Sequence, residues 1–206
     1  LSGSVISSDD PQYQGTIFVA RDITDRKRAE RRIRYLARYD ALTKVPNRMQ
    51  FQHLLQQAIA RALRSKHALA MLYIDMDHFK EINDTFGHAA GDRALEILAE
   101  RLQQTVPKDT VIGRLAGDEF ALFIEGLPVD EDNRGTVAQF ARKLLADIGR
   151  AFQVANQEVY LTGSVGIAIC PRDATNVIDI IRNADAAMYH AKQNGGNSFS
   201  FYSPEM

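Results

Sequence analysis

Arg114-Leu-Ala-Gly-Asp-Glu-Phe-Ala-Leu-Phe-Ile-Glu125 constrains this chain more than any other stretch. Val111, Ile112 and Leu115 lead into Ala116-Gly117-Asp118, and Phe120, Leu122 and Ile124 alternate on the way out, so two strands meet at a tight turn. Two adjacent carboxylates, Asp118 and Glu119, stand at that turn beside Gly117, where backbone can approach a ligand closely. A second acidic pair, Asp75 and Asp77, ends the most apolar strand, Ala68-Leu-Ala-Met-Leu-Tyr-Ile74. If these strands are neighbours, acidic oxygens gather at one rim of a sheet, a donor set suited to magnesium in phosphoryl transfer.

Around these residues lie further distinctive blocks. Asp75-Met-Asp-His-Phe-Lys-Glu-Ile-Asn-Asp-Thr-Phe-Gly-His88 is followed by Gly91-Asp92. Asp40-Ala-Leu-Thr-Lys-Val-Pro-Asn-Arg48 stands near the start and Ala184-Asp-Ala-Ala-Met-Tyr-His-Ala-Lys192 near the end. Together with Ala116-Gly-Asp-Glu-Phe120, these blocks resemble GGDEF domains, the diguanylate cyclases that condense two GTP into cyclic di-GMP. The resemblance covers residues 37–203, and the set of blocks is far more specific than any one of them.

A net charge of -1 gives no global attraction to nucleic acid or an anionic membrane. The single cysteine, Cys170, sits in an apolar run, which rules out a disulfide framework and fits a reducing cytoplasm. No apolar run is long enough to cross a bilayer. Because the chain begins at Leu1, it is expected to be a piece of a longer protein that could be membrane-anchored upstream.

Residues 1–20 are rich in Ser, Gly and Asp and then strand-like at Gly15-Thr-Ile-Phe-Val-Ala20. With Asp22-Ile-Thr24, this junction resembles the exit of a PAS sensor domain. Residues 1–24 are therefore expected to end such a domain, 25–40 to form a connector helix, and 41–203 to form the GGDEF domain. Thr24 or Asp25 can cap the connector, and Ala29, Ile33 and Leu36 form a narrow stripe along it. A solvated basic helix is the alternative, given Arg26, Lys27, Arg28, Arg31, Arg32 and Arg34. Helices are expected over 48–64, 93–106, 133–152 and 177–193, the first after a turn containing Pro46. Strands are expected over 159–162, 164–170 and 199–202, besides the two already described. Such intermixing predicts an α+β fold, a mixed sheet flanked by helices. The resemblance narrows this to the ferredoxin-like, polymerase-palm or nucleotidyl-cyclase arrangement.

The resemblance also implies roles. Asp75, the Met76 carbonyl, Asp118 and Glu119 bind Mg²⁺, or Mn²⁺ in its place; the alternative for Asp75 is a helix N-cap. Asp118 takes the 3'-hydroxyl proton, so Asp118, Glu119 and Lys80 are the catalytic set. Lys80, placed one and a half helical turns past Asp75, neutralises triphosphate charge or is a surface lysine. Asn83 and Asp92 suit guanine, whose Watson–Crick edge offers one acceptor and two donors, although both residue types also favour loops and caps. Phe79, His88, Gly117 and Lys192 complete the nucleotide site. The implied partners are GTP, a second copy of the chain, an upstream PAS sensor and a downstream EAL phosphodiesterase domain. No nucleic acid or membrane contact is expected of this stretch.

Three positions depart from the family pattern. Ala116 replaces the first signature glycine, costing about 1 kcal/mol if that position needs positive φ. Gly196 stands where an arginine is usual. Pro107-Lys-Asp-Thr110 lacks both anchors of the Arg-x-x-Asp product-inhibition motif, so no such site is expected. Two functions therefore stand: a diguanylate cyclase, or a non-catalytic GTP-binding domain regulating an adjacent EAL phosphodiesterase.

Overall fold

The structure, a computed structural model, describes residues 2–6, 15–19, 21–129, 133–154 and 156–206. The chain divides into two compact units, Leu1–Ala37 and Arg38–Met206.

In the first unit, β1 (Ser2–Ile6) pairs antiparallel with β2 (Gly15–Val19). The strand expected over 15–20 is thus present. Its partner was not anticipated, and Ala20 and residues 7–14 lie outside the described residues. Helix α1 (Thr24–Leu36) follows. Its N-cap position is Ile23, and Asp22 accepts the Thr24 N–H at 2.9 Å, so the expected caps Thr24 and Asp25 are instead helical residues. No residue of α1 is buried, and Ile33, in the middle of the stripe, is 68% exposed.

The second unit runs α2 (Arg48–Ser65), β3 (His67–Asp77), α3 (Phe79–Phe86), α4 (His88–Thr105), β4 (Val111–Ala116) and β5 (Glu119–Pro128). It continues with α5 (Asn133–Ile148), the hairpin β6 (Phe152–Val154) and β7 (Gln157–Val159), then β8 (Thr162–Cys170), α6 (Val177–Gln193) and β9 (Ser198–Phe201). The five-stranded sheet has the order β4-β5-β3-β8-β9, antiparallel except between β8 and β9. This is the α+β arrangement expected.

Central β3 explains the layering. Every residue after His67 is buried, and the strand period of two divides them between faces. Ala70, Leu72, Ile74 and Met76 join one core with Leu95, Leu98 and Leu102 of α4 and Val137 and Leu144 of α5. Leu69, Met71 and Tyr73 join the other with Phe51 and Leu55 of α2 and Ile180, Ala184 and Met188 of α6. On the second face α6 lies directly on β8 at Gly166, where an added Cβ would stand 1.9 Å from the Ala184 carbonyl oxygen.

Several expected boundaries move. The connector helix ends at Leu36 rather than at 40, and the strand expected over 159–162 is split, with β7 ending at Val159, β8 starting at Thr162 and Tyr160 and Leu161 outside both. Helix α4 begins at His88 rather than 93, because only Gly87, at φ 86°, breaks the chain. Gly91 is helical and leaves room for the Asn83 side chain, whose Oδ1 a Cβ would meet at 1.9 Å. Helix α5 stops at Ile148, and Phe152 starts a short hairpin instead of ending the helix.

Candidate active site

Strand β3 ends at the rim where the β4–β5 hairpin turns. Asp75 stands directly opposite Glu119 on β5 and opposite Ser164 on β8. The turn is Gly117-Asp118, with Ala116 paired to Glu119. Two acids 44 positions apart in sequence thus become cross-strand neighbours, their Cβ atoms about 5 Å apart as in any opposed antiparallel pair.

The rim is electrostatically crowded. Asp75 is 8% exposed, and Lys192 Nζ in the last turn of α6 donates to its Oδ1. Burial still raises its carboxyl above the usual range against that ammonium, and the Asp118 charge adds to the rise. Burial likewise raises Asp118, opposed by its own backbone N–H and by Lys192. Asp185 on α6 is raised by burial and by the charges of Glu119 and Asp75, with Arg48 opposing. Burial works against the Lys192 charge, yet Asp75, Asp118 and Asp77 hold its pKa above the ordinary value. Glu119 is half-buried and accepts the Tyr73 hydroxyl at 2.9 Å.

Asp77 does not share this work. Its carboxylate accepts Thr162 Oγ1 at 2.8 Å, Ser164 Oγ at 2.7 Å and the Asn197 N–H at 2.8 Å. These bonds tie the loop after α6 to the end of β3, so of the expected pair Asp77 is taken up by neutral donors while Asp75 faces the Lys192 ammonium. The same carboxylate lies against Gly196, which sits at φ 69° with Asp77 Oδ2 only 2.9 Å from where a Cβ would be. An arginine there would need both a strained backbone and a displaced Asp77.

The remaining expected residues divide by element. Met76 points its side chain into the α4–α5 core, which leaves its main chain at the rim. Lys80 is exposed on the first turn of α3, and the expected helical spacing from Asp75 is corrected. Residues 75–77 are strand, and His78 turns through φ 56° before the helix starts. Phe79 and Asn83 of α3 meet Gly91 of α4, with Asp92 next in the chain and exposed. His88 is the exposed first residue of α4. Gly117 is exposed, at φ 25°, with open space where a Cβ would stand. Ala116 is a strand residue without positive φ, so the strain expected of the missing glycine does not arise.

Several contributing residues were not foreseen. Arg114 donates from Nε to the Gly117 carbonyl at 2.8 Å and pairs with Asp40 at 3.0 Å, stapling the acidic turn to the start of the unit. Burial would raise the Asp40 carboxyl, but the Thr43 N–H and hydroxyl and Arg114 hold it below the usual range. The Asp40-x-x-Thr43 spacing was a readable turn signal; the pairing with Arg114, 74 residues away, was not. Tyr73 and Asp185 were also missed, since one reads as core and the other as a helix-surface acid.

Among the described residues, no group of three or more His, Cys, Asp or Glu side chains converges on a point that could hold a metal. The donor set nevertheless fits magnesium, which takes few protein oxygens and completes its shell with water and phosphate. Asp75 and Glu119 offer hard oxygens side by side, and the mutual repulsion of the rim acids favours a divalent cation. Clefts of about 630 Å³ beside α5 and about 670 Å³ between α2 and the start of α6 contain none of these residues.

The family described as "Diguanylate cyclase, GGDEF domain" matches residues 37–198. Among curated relatives, the bifunctional diguanylate cyclase/cyclic di-GMP phosphodiesterase MucR of Pseudomonas aeruginosa is 42% identical over 184 residues, covering 89% of this chain and 26% of MucR. The cyclic di-GMP phosphodiesterase PdeR of Escherichia coli is 36% identical over 185 residues, covering 90% of this chain and 27% of PdeR. Among solved structures, the isolated GGDEF domain of TpbB (YfiN) from Pseudomonas aeruginosa superposes with a TM-score of 0.74 at 32% identity, covering 80% of this chain and 94% of that one. The chain spans about a quarter of the length of the curated relatives it matches.

Proposed function

The chain belongs to the GGDEF family of diguanylate cyclase domains, and from that premise we propose that it condenses two GTP into cyclic di-GMP and pyrophosphate. The observation that carries this reading is the register of Asp75 against Glu119, with Asp118 at the adjoining turn.

Asp75, the Met76 carbonyl, Asp118 and Glu119 would hold Mg²⁺, or Mn²⁺ in its place. When bound, the metal lowers the pKa of the attacking hydroxyl and polarises the phosphate it contacts. In each half-reaction the 3'-oxygen of one GTP bonds to the α-phosphorus of the other, the bond to pyrophosphate breaks, and Asp118 accepts the hydroxyl proton. Lys192, released from Asp75, and exposed Lys80 meet the phosphates. Asn83 donates to guanine O6 and Asp92 accepts from N1–H and N2–H, while Phe79, His88 and the open Gly117 backbone border the nucleotide. An adenine would leave Asp92 without its donors.

One copy carries the residues for one GTP, so two facing copies complete the reaction. An upstream PAS-like sensor acts through the connector helix, and a downstream EAL domain hydrolyses the product. The protein works in the cytoplasm. Among the described residues no helix is long and apolar enough to cross a membrane.

A second reading is favoured by specific observations. Ala116 and Gly196 depart from the family pattern, and PdeR, a relative of similar coverage, is named for phosphodiesterase activity alone. In this reading the domain binds GTP without turning it over and regulates an EAL neighbour. Incubating concentrated protein with GTP and Mg²⁺ separates the two. Cyclic di-GMP and pyrophosphate are expected, and Asp75→Ala should reduce them at least 100-fold. GTP binding without product would establish the regulatory reading, and full activity in Asp75→Ala would overturn the metal assignment.

A further inference from the structure

Resting on the reading of this rim as a divalent-metal site, we propose that Tyr73 is a positioning residue. Its hydroxyl fixes one oxygen of Glu119, so that the other is presented to the metal.

Tyr73 and Asp75 leave β3 on the same face, two residues apart. Asp75 faces Glu119 across β5 and Tyr73 faces Ala121, so the ring stands diagonal to Glu119. Its other cross-strand neighbour is Gly166. Small residues on both sides leave the ring free to lean along the strand toward the rim. There its hydroxyl donates to Glu119 Oε2 at 2.9 Å. The residue is 5% exposed and packed in the same core as Met71, Ala121 and Met188, so the reach of the hydroxyl is set by the core rather than by solvent.

Glu119 needs such a tether. It is half-buried, carries three side-chain torsions, stands opposite Asp75 in the sheet, and is repelled by the charges of Asp118 and Asp185. A phenol is protonated at neutral pH and donates one hydrogen, which occupies Oε2 and leaves Oε1 available. Packing does not explain the hydroxyl, because phenylalanine would fill the same space among the same apolar neighbours. A buried donor on a metal-binding carboxylate is the outer-shell contact that orients a ligand and tunes its affinity.

The test is Tyr73→Phe in the full chain. Mn²⁺ is titrated by electron paramagnetic resonance in the presence of a GTP analogue with a methylene bridge between the α and β phosphorus atoms. Mn²⁺ binding should weaken roughly 10- to 100-fold, with the thermal midpoint unchanged. The Mg²⁺ concentration for half-maximal product formation should rise by the same factor, with the KM for GTP unchanged at saturating Mg²⁺. Unaltered Mn²⁺ binding in Tyr73→Phe, with binding abolished in Asp75→Ala, would overturn the role of Tyr73 and leave the metal reading intact. Absence of Mn²⁺ binding in the wild type, or its persistence in Asp75→Ala, would overturn both. A loss of affinity matched by a lowered thermal midpoint would assign the hydroxyl to the core and also overturn the proposal.

Discussion

Asp75 and Asp77 leave the same strand on the same face, yet only Asp77 finds three neutral donors within 2.8 Å. Its removal should be felt as stability and that of Asp75 as chemistry. Asp77→Ala strands the wholly buried Ser164 hydroxyl and the Thr162 and Asn197 donors. A loss of about 2–4 kcal/mol is expected, visible as a lower urea midpoint. Asp75→Ala, which relieves a buried carboxylate crowded by Asp118, should leave the unfolding free energy within about 1 kcal/mol of wild type. From sequence the two acids were indistinguishable. Both end an apolar strand, and what separates them is contributed by β8 and the loop after α6, some 85 and 120 residues away. Asp118 and Glu119 were easier to read, because the turn that presents them is local.

At the level of elements, legibility followed the length of the periodic signal. Helix α6 was expected over 177–193 and runs Val177–Gln193; β3, an unbroken apolar run, was equally plain. Gly91 reads as a breaker, which places the start of α4 too late; in the fold it is helical and yields space to Asn83. Strands of three residues such as β6 and β7 carry too little pattern to be seen next to a helix. The sharpest element-level constraint is the seat of α6 on β8. Gly166→Val would drive its side chain into the Ala184 carbonyl and the Met188 amide, both backbone atoms that move only with the helix. A cost of at least about 2 kcal/mol is expected, measured by denaturant unfolding. Because α6 also carries Asp185 and Lys192, cyclic di-GMP formation should fall more steeply than stability alone would dictate.

On the scale of the whole molecule, the strand order β4-β5-β3-β8-β9 was beyond what periodicity can supply, since central β3 pairs with β5 and β8 across 44 to 101 residues. The family resemblance narrows the fold to the ferredoxin-like, palm-type arrangement but does not itself give the order. Each of the two units is compact in itself. Residues 38–206 expressed alone should therefore fold with the thermal midpoint of the corresponding transition in the full chain, within about 2 °C, by differential scanning calorimetry. A marked drop would mean that the first unit contributes to the stability of the second.

The contact between Lys192 and Asp75 has a consequence for how the rim is loaded. The lysine's ammonium spares the rim bare anionic repulsion. On the proposed metal reading, a divalent ion would have to displace it, so that filling the pocket would be an exchange rather than an addition. The freed ammonium would then be available as a counterion to a polyphosphate, and metal and nucleotide would ease each other's admission.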